Sequence, residues 1–337
     1  MKPFISIGVT TYDRIDLLKQ TLKSILSQSY ADFEILVGND NTERIINADT
    51  IGIVDKRIVY VNHKKNLGYF GNLNALFKPS KGRYFTTLAD DDMYTPDFLQ
   101  TVYTALEKSD FPPCVFSSYM QGKAYPDRKQ IFCRNFNIYE GRKFLNKYLK
   151  REINLLGSCG VFQKNYYRKI GGMQKLGNGF SPYSDNLLAI KAGLLEKVVY
   201  INSPLIFYRT HEGSISLAST DIDAYSTAQK DLLSKSCDLF LSERLRGNFY
   251  DNLFLLLVWC IRDISTVIRR SRSVNLKQAQ EYIVFLKKYI AKLKGCRYYL
   301  KIWTVLIRNA VVVALDLGRK SFHIRTASTV ITTKRSL

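Results

Sequence analysis

Several familiar signatures are missing from this chain of 337 residues. It has no G-x-G-x-x-G and no G-x-x-x-x-G-K-[ST], so neither a dinucleotide fingerprint nor a P-loop is supported. Its six cysteines, at 114, 133, 159, 237, 260 and 296, show no C-x-x-C spacing, and only three histidines accompany them. That argues against a zinc site or a disulfide framework and fits a reducing compartment. No stretch offers 18 uninterrupted apolar residues, because Arg262 and Asp263 break one candidate and Arg308 and Asn309 another. A membrane-spanning helix is therefore not expected. Met1-Lys2-Pro3 runs straight into a strand-like segment, without the pattern of a signal peptide. Acidic residues are scarce: 29 Asp and Glu stand against 50 Lys and Arg, a formal net charge of +21. The imbalance favours anionic partners, whether nucleic acid, anionic lipid or a phosphorylated substrate.

The scarce acids are not evenly spread. Asp90-Asp91-Asp92 follow the apolar run Tyr84–Leu88 and precede Thr95-Pro96. Such a run reads as a buried strand, which places three carboxylates just past its C-terminal end, where open α/β sheets bind ligands. Neighbouring carboxylates repel, and a divalent cation such as Mg²⁺ or Mn²⁺ relieves them together with substrate phosphates. A solvated acidic turn capping the next helix is the plainer alternative.

Upstream, strands are expected at Phe4–Val9, Phe33–Gly38 and Ile58–Val61, with helices over Ile15–Ser27 and from about Asn72 to Phe77. Strands alternating with helices imply a mostly parallel, Rossmann-like sheet flanked by helices. Each strand ends in polar residues: Thr10 and Tyr12 with Arg14, then Asp40, then Asn66 and Asn72, then the acids. In a parallel sheet these converge on one edge as a nucleotide-sized site. Downstream, helices are expected at Phe98–Leu106 and Tyr139–Leu149. A strand is expected at Cys114–Tyr119, and the small-residue run Gly157–Phe162 ends in another. Asp185 opens a helix carrying Leu187, Leu188 and Ile190; it serves either as an N-cap or as a base, and a helix N-terminus would keep it ionised. A strand at Val198–Ile201 then leads to Tyr208-Arg209-Thr210-His211.

Val9–Arg14, Ser24–Tyr30 with its S-x-x-x-Q-x-Y pattern, Phe33–Val37, Ala89–Asp92 and the ending Tyr208–Ser216 together resemble the family 2 glycosyltransferases of the GT-A fold. The resemblance covers roughly residues 3 to 216. It departs from the usual pattern at Asp13, at Asn39-Asp40-Asn41-Thr42, at Ala89 and at Ser184. It implies that Thr10, Tyr12 and Asp40 hold the base and ribose, with Arg14, Asn66 and Asn72 as further donor contacts. Asp90 would meet the ribose or the metal, Asp91 and Asp92 would serve Mg²⁺ or Mn²⁺, and His211 would complete its coordination. Arg209 would meet the diphosphate, and Asp185 would be the general base. Asp40 can accept from a base imino N–H, which favours uracil or thymine.

After residue 216 the character changes. Residues 221–337 carry 21 Lys and Arg against 9 Asp and Glu, a net of +12. Leu253–Ile268 and Leu276–Leu293 show helical periodicity, too short for a coiled coil. Tyr298 to Val313 reads as an interfacial amphipathic helix suited to an anionic cytoplasmic membrane face. The expected organisation is therefore a catalytic domain over 1–216 and a basic helical region over 217–337. The expected activity is inverting transfer from a nucleotide-sugar, UDP-linked, to a carbohydrate or lipid-linked oligosaccharide acceptor, as in bacterial surface polysaccharide assembly. The protein would be cytoplasmic and peripheral on the inner membrane face. Two rivals stand beside it. A sugar nucleotidyltransferase would need a glycine-rich phosphate loop, yet Thr10–Arg14 has no glycine. A non-catalytic anion- or membrane-binding protein is allowed by charge alone, but no recognised nucleic-acid module is present. A helical bundle or oligomer interface is the alternative for the C-terminal helices.

Overall fold

The computed structural model describes residues 2–126, 135–211, 219–271 and 276–314. Cys133, Arg272, His323, residues 212–216 of the Tyr208–Ser216 motif, the side chains of 276–279 and the tail after Arg319 lie outside them. The chain forms two compact units, one from residues 1–175 and 183–217, the other from 176–182 and 218–337.

The first unit opens with β1 (Ile5–Thr11), α1 (Ile15–Leu26), β2 (Phe33–Asn39), α2 (Ala48–Ile51), β3 (Ile58–Asn62), α3 (Gly68–Phe77) and β4 (Tyr84–Ala89). β1 pairs in parallel with both β2 and β4, and β2 with β3. All seven residues of β1 and of β2 are buried. Burial on both faces explains why these strands read as continuous rather than alternating apolar runs. The register aligns their ends: Thr11 lies opposite Asn39, Asn39 opposite Asn62, and Thr10 opposite Ala89. The polar strand ends therefore share one edge.

The second half is mixed. It comprises β5 (Met93–Tyr94), α4 (Phe98–Lys108), β6 (Cys114–Gly122), β7 (Phe136–Tyr139), α5 (Gly141–Leu149), β8 (Val161–Gln163), α6 (Lys164–Lys169), α7 (Ser184–Ala192) and β9 (Val198–Arg209). The strand order is β3-β2-β1-β4-β8-β6-β9-β5, with β7 also on β9. Short β8 runs antiparallel between β4 and β6, whereas β6 and β9 pair in parallel. β9 is one strand of 12 residues, where the expected strand covered only Val198–Ile201. Between Ser117 and Tyr119 of β6 the pairing skips Asn202, Ser203 and Leu205 of β9, so the missing N–H of Pro204 falls at an irregularity.

The S-x-x-x-Q pattern of α1 has a structural job. Ser24 Oγ accepts the Tyr94 N–H at 3.2 Å. Gln28 Nε2 donates to Thr95 O at 2.6 Å, and its Oε1 accepts the Leu99 N–H at 2.9 Å. The Thr21 hydroxyl lies 2.9 and 2.7 Å from the carbonyl oxygens of Asp90 and Asp92. One helix face thus braces the whole segment from the acids to the start of α4, while Leu18, Leu22 and Ile25 fill the core below.

The second unit is helical: α8 (Ile222–Phe240), α9 (Phe249–Arg270), α10 (Leu276–Ala291) and α11 over residues 299–314. Asp221 caps α8 by accepting the Ala224 N–H at 3.0 Å. Gln229 Nε2 donates to Cys260 O at 3.1 Å, tying α8 to α9, and its Oε1 accepts from Tyr282 of α10. Leu286, Ile290 and Leu293 are buried, so the three-and-four spacing of α10 reflects packing within the chain. The five described cysteines are free, and no described helix is long and apolar enough to cross a membrane.

Gln28→Ala strips a buried acceptor and a buried donor of their partners, and should cost about 2 kcal/mol of stability. Urea unfolding checks this; a loss under about 0.5 kcal/mol contradicts the bracing role.

Candidate active site

The acids sit in the loop between β4 and β5, and each has a different neighbourhood. Asp90 is 0 % exposed. Its Oδ2 accepts the Thr11 hydroxyl at 2.6 Å, and its Oδ1 is ion-paired with Arg14 Nη2. Burial pushes its carboxyl above the ordinary value, against the pull of Arg14 and Thr11. Asp91 is the more open of the two, with 14 % of its side chain exposed. Its Oδ2 meets Arg14 Nη1 at 2.6 Å and His211 Nε2 at 3.0 Å. Asp92, 3 % exposed, accepts the Arg209 N–H on Oδ1 at 3.0 Å. Burial, then repulsion from Asp91, pushes Asp92 up to about 8.

The pairing of β5 with β9 creates this arrangement. Met93 lies opposite Phe207 and Tyr94 opposite Ile206, which brings the Tyr208–His211 end of the chain over the acid loop. Arg14 arrives from the other side. Asp13 adopts a left-handed φ of 66°, a conformation that short polar side chains tolerate, and this turn precedes Arg14 at the start of α1. Three segments far apart in sequence therefore meet at Asp91.

The nucleotide candidates divide. Thr10 is 8 % exposed and Tyr12 58 % exposed at the end of β1. Asp40 is buried, its Oδ1 accepting the Leu67 N–H at 2.7 Å. Asn66 is exposed and turns the chain into α3 by accepting the Gly68 N–H at 2.9 Å. With Gly68 at a φ of +67°, α3 begins four residues before the expected Asn72. Asn72 itself is 1 % exposed, donating to Gly38 O at 2.8 Å and meeting His63 Nε2 at 3.0 Å. A Cβ on Gly38 would lie 1.9 Å from Asn72 Oδ1. Asn72 is thus packed inside, joining α3 to β2, where the sequence suggested a donor contact.

Asp185 lies in the first turn of α7 and is partly exposed. Its Oδ1 accepts the Asn186 N–H at 3.0 Å. Burial nevertheless pushes it up to about 6, outweighing the N–H groups of its own turn and of Gly157. Asp185 is thus ionised at neutral pH, as its place at a helix N-terminus suggested, though burial holds it above the ordinary carboxyl value. A Cβ at Gly157 would lie 1.9 Å from Asp185 O, so the small residue lets the 157–160 segment pass against the start of α7.

Two groups connect the acid loop to Asp185. Tyr69, 44 % exposed on α3, has its hydroxyl raised by burial, then by Cys159, Asp185 and Asp92 among its neighbours. The Cys159 thiol is raised by burial and by the same two carboxylates. Asp92 and Asp185 therefore both lie near Tyr69 and Cys159. Thr11, Thr21 and Tyr69 were not singled out from sequence. An exposed aromatic directly after the Asn66-Leu67-Gly68 turn was the one available signal.

The donor set suits a hard divalent cation in part: a carboxylate and an imidazole converge at Asp91 Oδ2, with Arg14 on the same oxygen. No group of three or more His, Cys, Asp and Glu ligands forms among the described residues, so water and substrate oxygens would supply the remainder.

Comparison with known proteins places this geometry in context. Residues 6–171 match the family model described as glycosyl transferase family 2. Glycosyltransferase GlyA of Streptococcus pneumoniae serotype 4 is 26 % identical over 237 residues, 64 % of this chain and 32 % of that protein. An uncharacterized glycosyltransferase of Haemophilus influenzae is 32 % identical over 110 residues, 32 % of this chain and 34 % of that protein. The chain thus spans about a third of the length of these two relatives. Among solved structures, S. aureus TarS 1-349 in complex with UDP-GlcNAc aligns with a TM-score of 0.56 at 13 % identity, covering 94 % of this chain and 92 % of that one. Mannosyltransferase PcManGT of Pyrobaculum calidifontis, in complex with GDP-Man and Mn²⁺, aligns with a TM-score of 0.51 at 14 % identity, covering 94 % and 87 %. The fold is that of the GT-A glycosyltransferases, and through residues 6–171 the chain belongs to glycosyl transferase family 2.

Proposed function

We propose that the chain is an inverting, metal-assisted hexosyltransferase that moves a sugar from a UDP-sugar to a hydroxyl on a carbohydrate or lipid-linked oligosaccharide. The observation that carries the reading is the convergence of Arg14, Asp91 and His211 beside the polar ends of the parallel strands, with Asp185 at the start of α7 read as the base. The UDP-GlcNAc and UDP bound in TarS support a nucleotide-sugar donor. Asp40 favours uridine: its Oδ1 is taken by Leu67, which leaves Oδ2 to accept the imino N–H of the base. Thr10 and Tyr12 flank that position, Asn66 marks the edge where the ribose would lie, and Arg209 faces the diphosphate.

Asp91 and His211 would hold Mg²⁺ or Mn²⁺, with Asp92 supporting the loop from Arg209 N. Bound there, the cation offsets charge gathering on the departing diphosphate. Asp185 takes the proton of the acceptor hydroxyl as that oxygen attacks the anomeric carbon. The bond to the diphosphate oxygen breaks, its electron pair leaves with UDP, and the anomeric configuration inverts. A base near 6 is ionised at neutral pH and still holds a proton well enough to take one in the transition state.

The deciding experiment is a panel of nucleotide-sugars with Mg²⁺ or Mn²⁺, scored for free nucleoside diphosphate. Release of UDP is expected; pyrophosphate release would instead indicate a nucleotidyltransferase. Asp185→Asn should lower turnover about 10²- to 10⁴-fold, and full turnover in that variant refutes the assignment. Because Asp185 must be unprotonated to act, kcat/KM should rise with pH to a plateau above about 6 and fall tenfold per unit below it. A profile flat down to pH 4.5 contradicts this.

We further propose that residues 1–216 carry catalysis and that 217–337 attach the protein to the anionic inner face of the cell membrane. On α11, Leu300, Ile307 and Val311 are 76 %, 60 % and 52 % exposed, and at 100° per residue they fall on one stripe with Trp303. Lys301 and Arg308 edge that stripe, as suits an interfacial helix. Leu300→Asp with Ile307→Asp should abolish sedimentation with phosphatidylglycerol-containing vesicles and leave turnover on a soluble acceptor unchanged. Undiminished sedimentation, or a wild-type dimer that the pair disperses, overturns membrane docking by this stripe.

A further inference from the structure

The guanidinium of Arg14 stands where a cation bound to Asp91 would act. Its two arms have unequal partners. Nη2 is ion-paired with Asp90, which is fully buried and fixed by the Thr11 hydroxyl at 2.6 Å. Nη1 sits 2.6 Å from Asp91 Oδ2, the same oxygen that meets His211 Nε2 at 3.0 Å. The Asp90 arm is an anchor. The Asp91 arm lies at the open side of the loop, on a side chain that is itself 40 % exposed.

A dication ligated by Asp91 and His211 would bond within about 2.0–2.6 Å of that oxygen. A guanidinium on the same oxygen would then face two like charges at close range, with the carboxylate already shared. Arg14 must give up Asp91 for the cation to be held well. Anchored on Asp90, it need only swing one arm, and the nearest new anion is the diphosphate of the donor. Fork-shaped donors suit phosphate oxygens as well as carboxylates.

We infer that Arg14 is an exchanging clamp: it holds Asp91 in the empty site and passes to the donor diphosphate when the divalent cation takes Asp91. This deepens the glycosyltransferase reading and rests on it. Arg14 then couples the two ligands. Cation binding releases a guanidinium that the diphosphate needs, and the diphosphate stabilises the released arm. By linkage each ligand tightens the other by the same factor.

The test measures binding, not turnover. Free Mn²⁺ is followed by electron paramagnetic resonance on the full-length protein, with and without UDP, and UDP binding at saturating Mn²⁺ is followed by calorimetry. Wild type, Arg14→Gln and Arg14→Lys are compared, with circular dichroism confirming that each is folded. Arg14→Gln is expected to bind Mn²⁺ alone about tenfold more tightly than wild type, to bind UDP at saturating Mn²⁺ about tenfold more weakly, and to lose most of the mutual tightening. Arg14→Lys keeps the charge without the fork and should fall between. The clamp is overturned if Arg14→Gln and Arg14→Lys leave both Mn²⁺ affinity and its dependence on UDP as in wild type, or if Arg14→Gln weakens Mn²⁺ binding. Wild-type protein that binds neither Mn²⁺ nor UDP would instead sink the donor-site reading and the clamp with it.

Discussion

Three consecutive carboxylates cannot sit at a strand end without opposing charge and firm support. Two unit charges about 4 Å apart repel by about 4 kcal/mol at an effective dielectric of 20. The structure answers that repulsion three ways. Arg14 bridges Asp90 and Asp91, His211 meets Asp91, and Asp92 is sealed against the backbone of Arg209. The supports come from β1, α1 and β9, so much of the first unit is arranged to hold one short loop. Thr21 and Ser24 on α1 and Gln28 just past its end fix its backbone, which leaves side-chain contacts free to change without moving the chain.

The carboxyl of Asp185 obeys a different balance. Asp185 stands at a helix N-terminus, where the dipole and local N–H groups favour the anion. Burial opposes them and prevails, placing the group near 6. A carboxylate held strongly ionised is a poor proton acceptor, and one fully neutral is none. The 157–160 segment passes close against the start of α7, which a glycine at 157 permits, and the Gly157 N–H is among the groups that favour the anion.

Much of this was legible in the residues. The alternation of strands and helices over the first 90 residues gave the parallel half of the sheet and its polar edge, because buried parallel strands announce themselves as apolar runs such as Ile5–Val9. The acid triplet, Asp185 and the Arg209–His211 ending were visible as residue types after predicted strands or at a helix start. What sequence hides is burial and partnership. Asn72 looked like a strand-end polar group, yet the missing side chain of Gly38 draws it inside. Asp185 looked ionised at its helix start and, with a pKa of about 6, is so at neutral pH, but the extent to which burial raises it is set by the fold. Arg14 read as a donor contact, and only the fold reveals that its two arms already hold Asp90 and Asp91. The strand expected over Val198–Ile201 runs on past Pro204 because β9 itself carries the extra residues that accommodate the proline opposite β6.

The central claim is that the donor diphosphate lies between Asp91 and Asp185. The most direct measurement is anomalous diffraction at the manganese edge from crystals grown with UDP and Mn²⁺. The account predicts one strong peak bonded to Asp91 and His211, with the UDP diphosphate on that peak and opening toward Asp185. UDP bound with its diphosphate facing away from Asp185, or a manganese peak remote from Asp91, would contradict it.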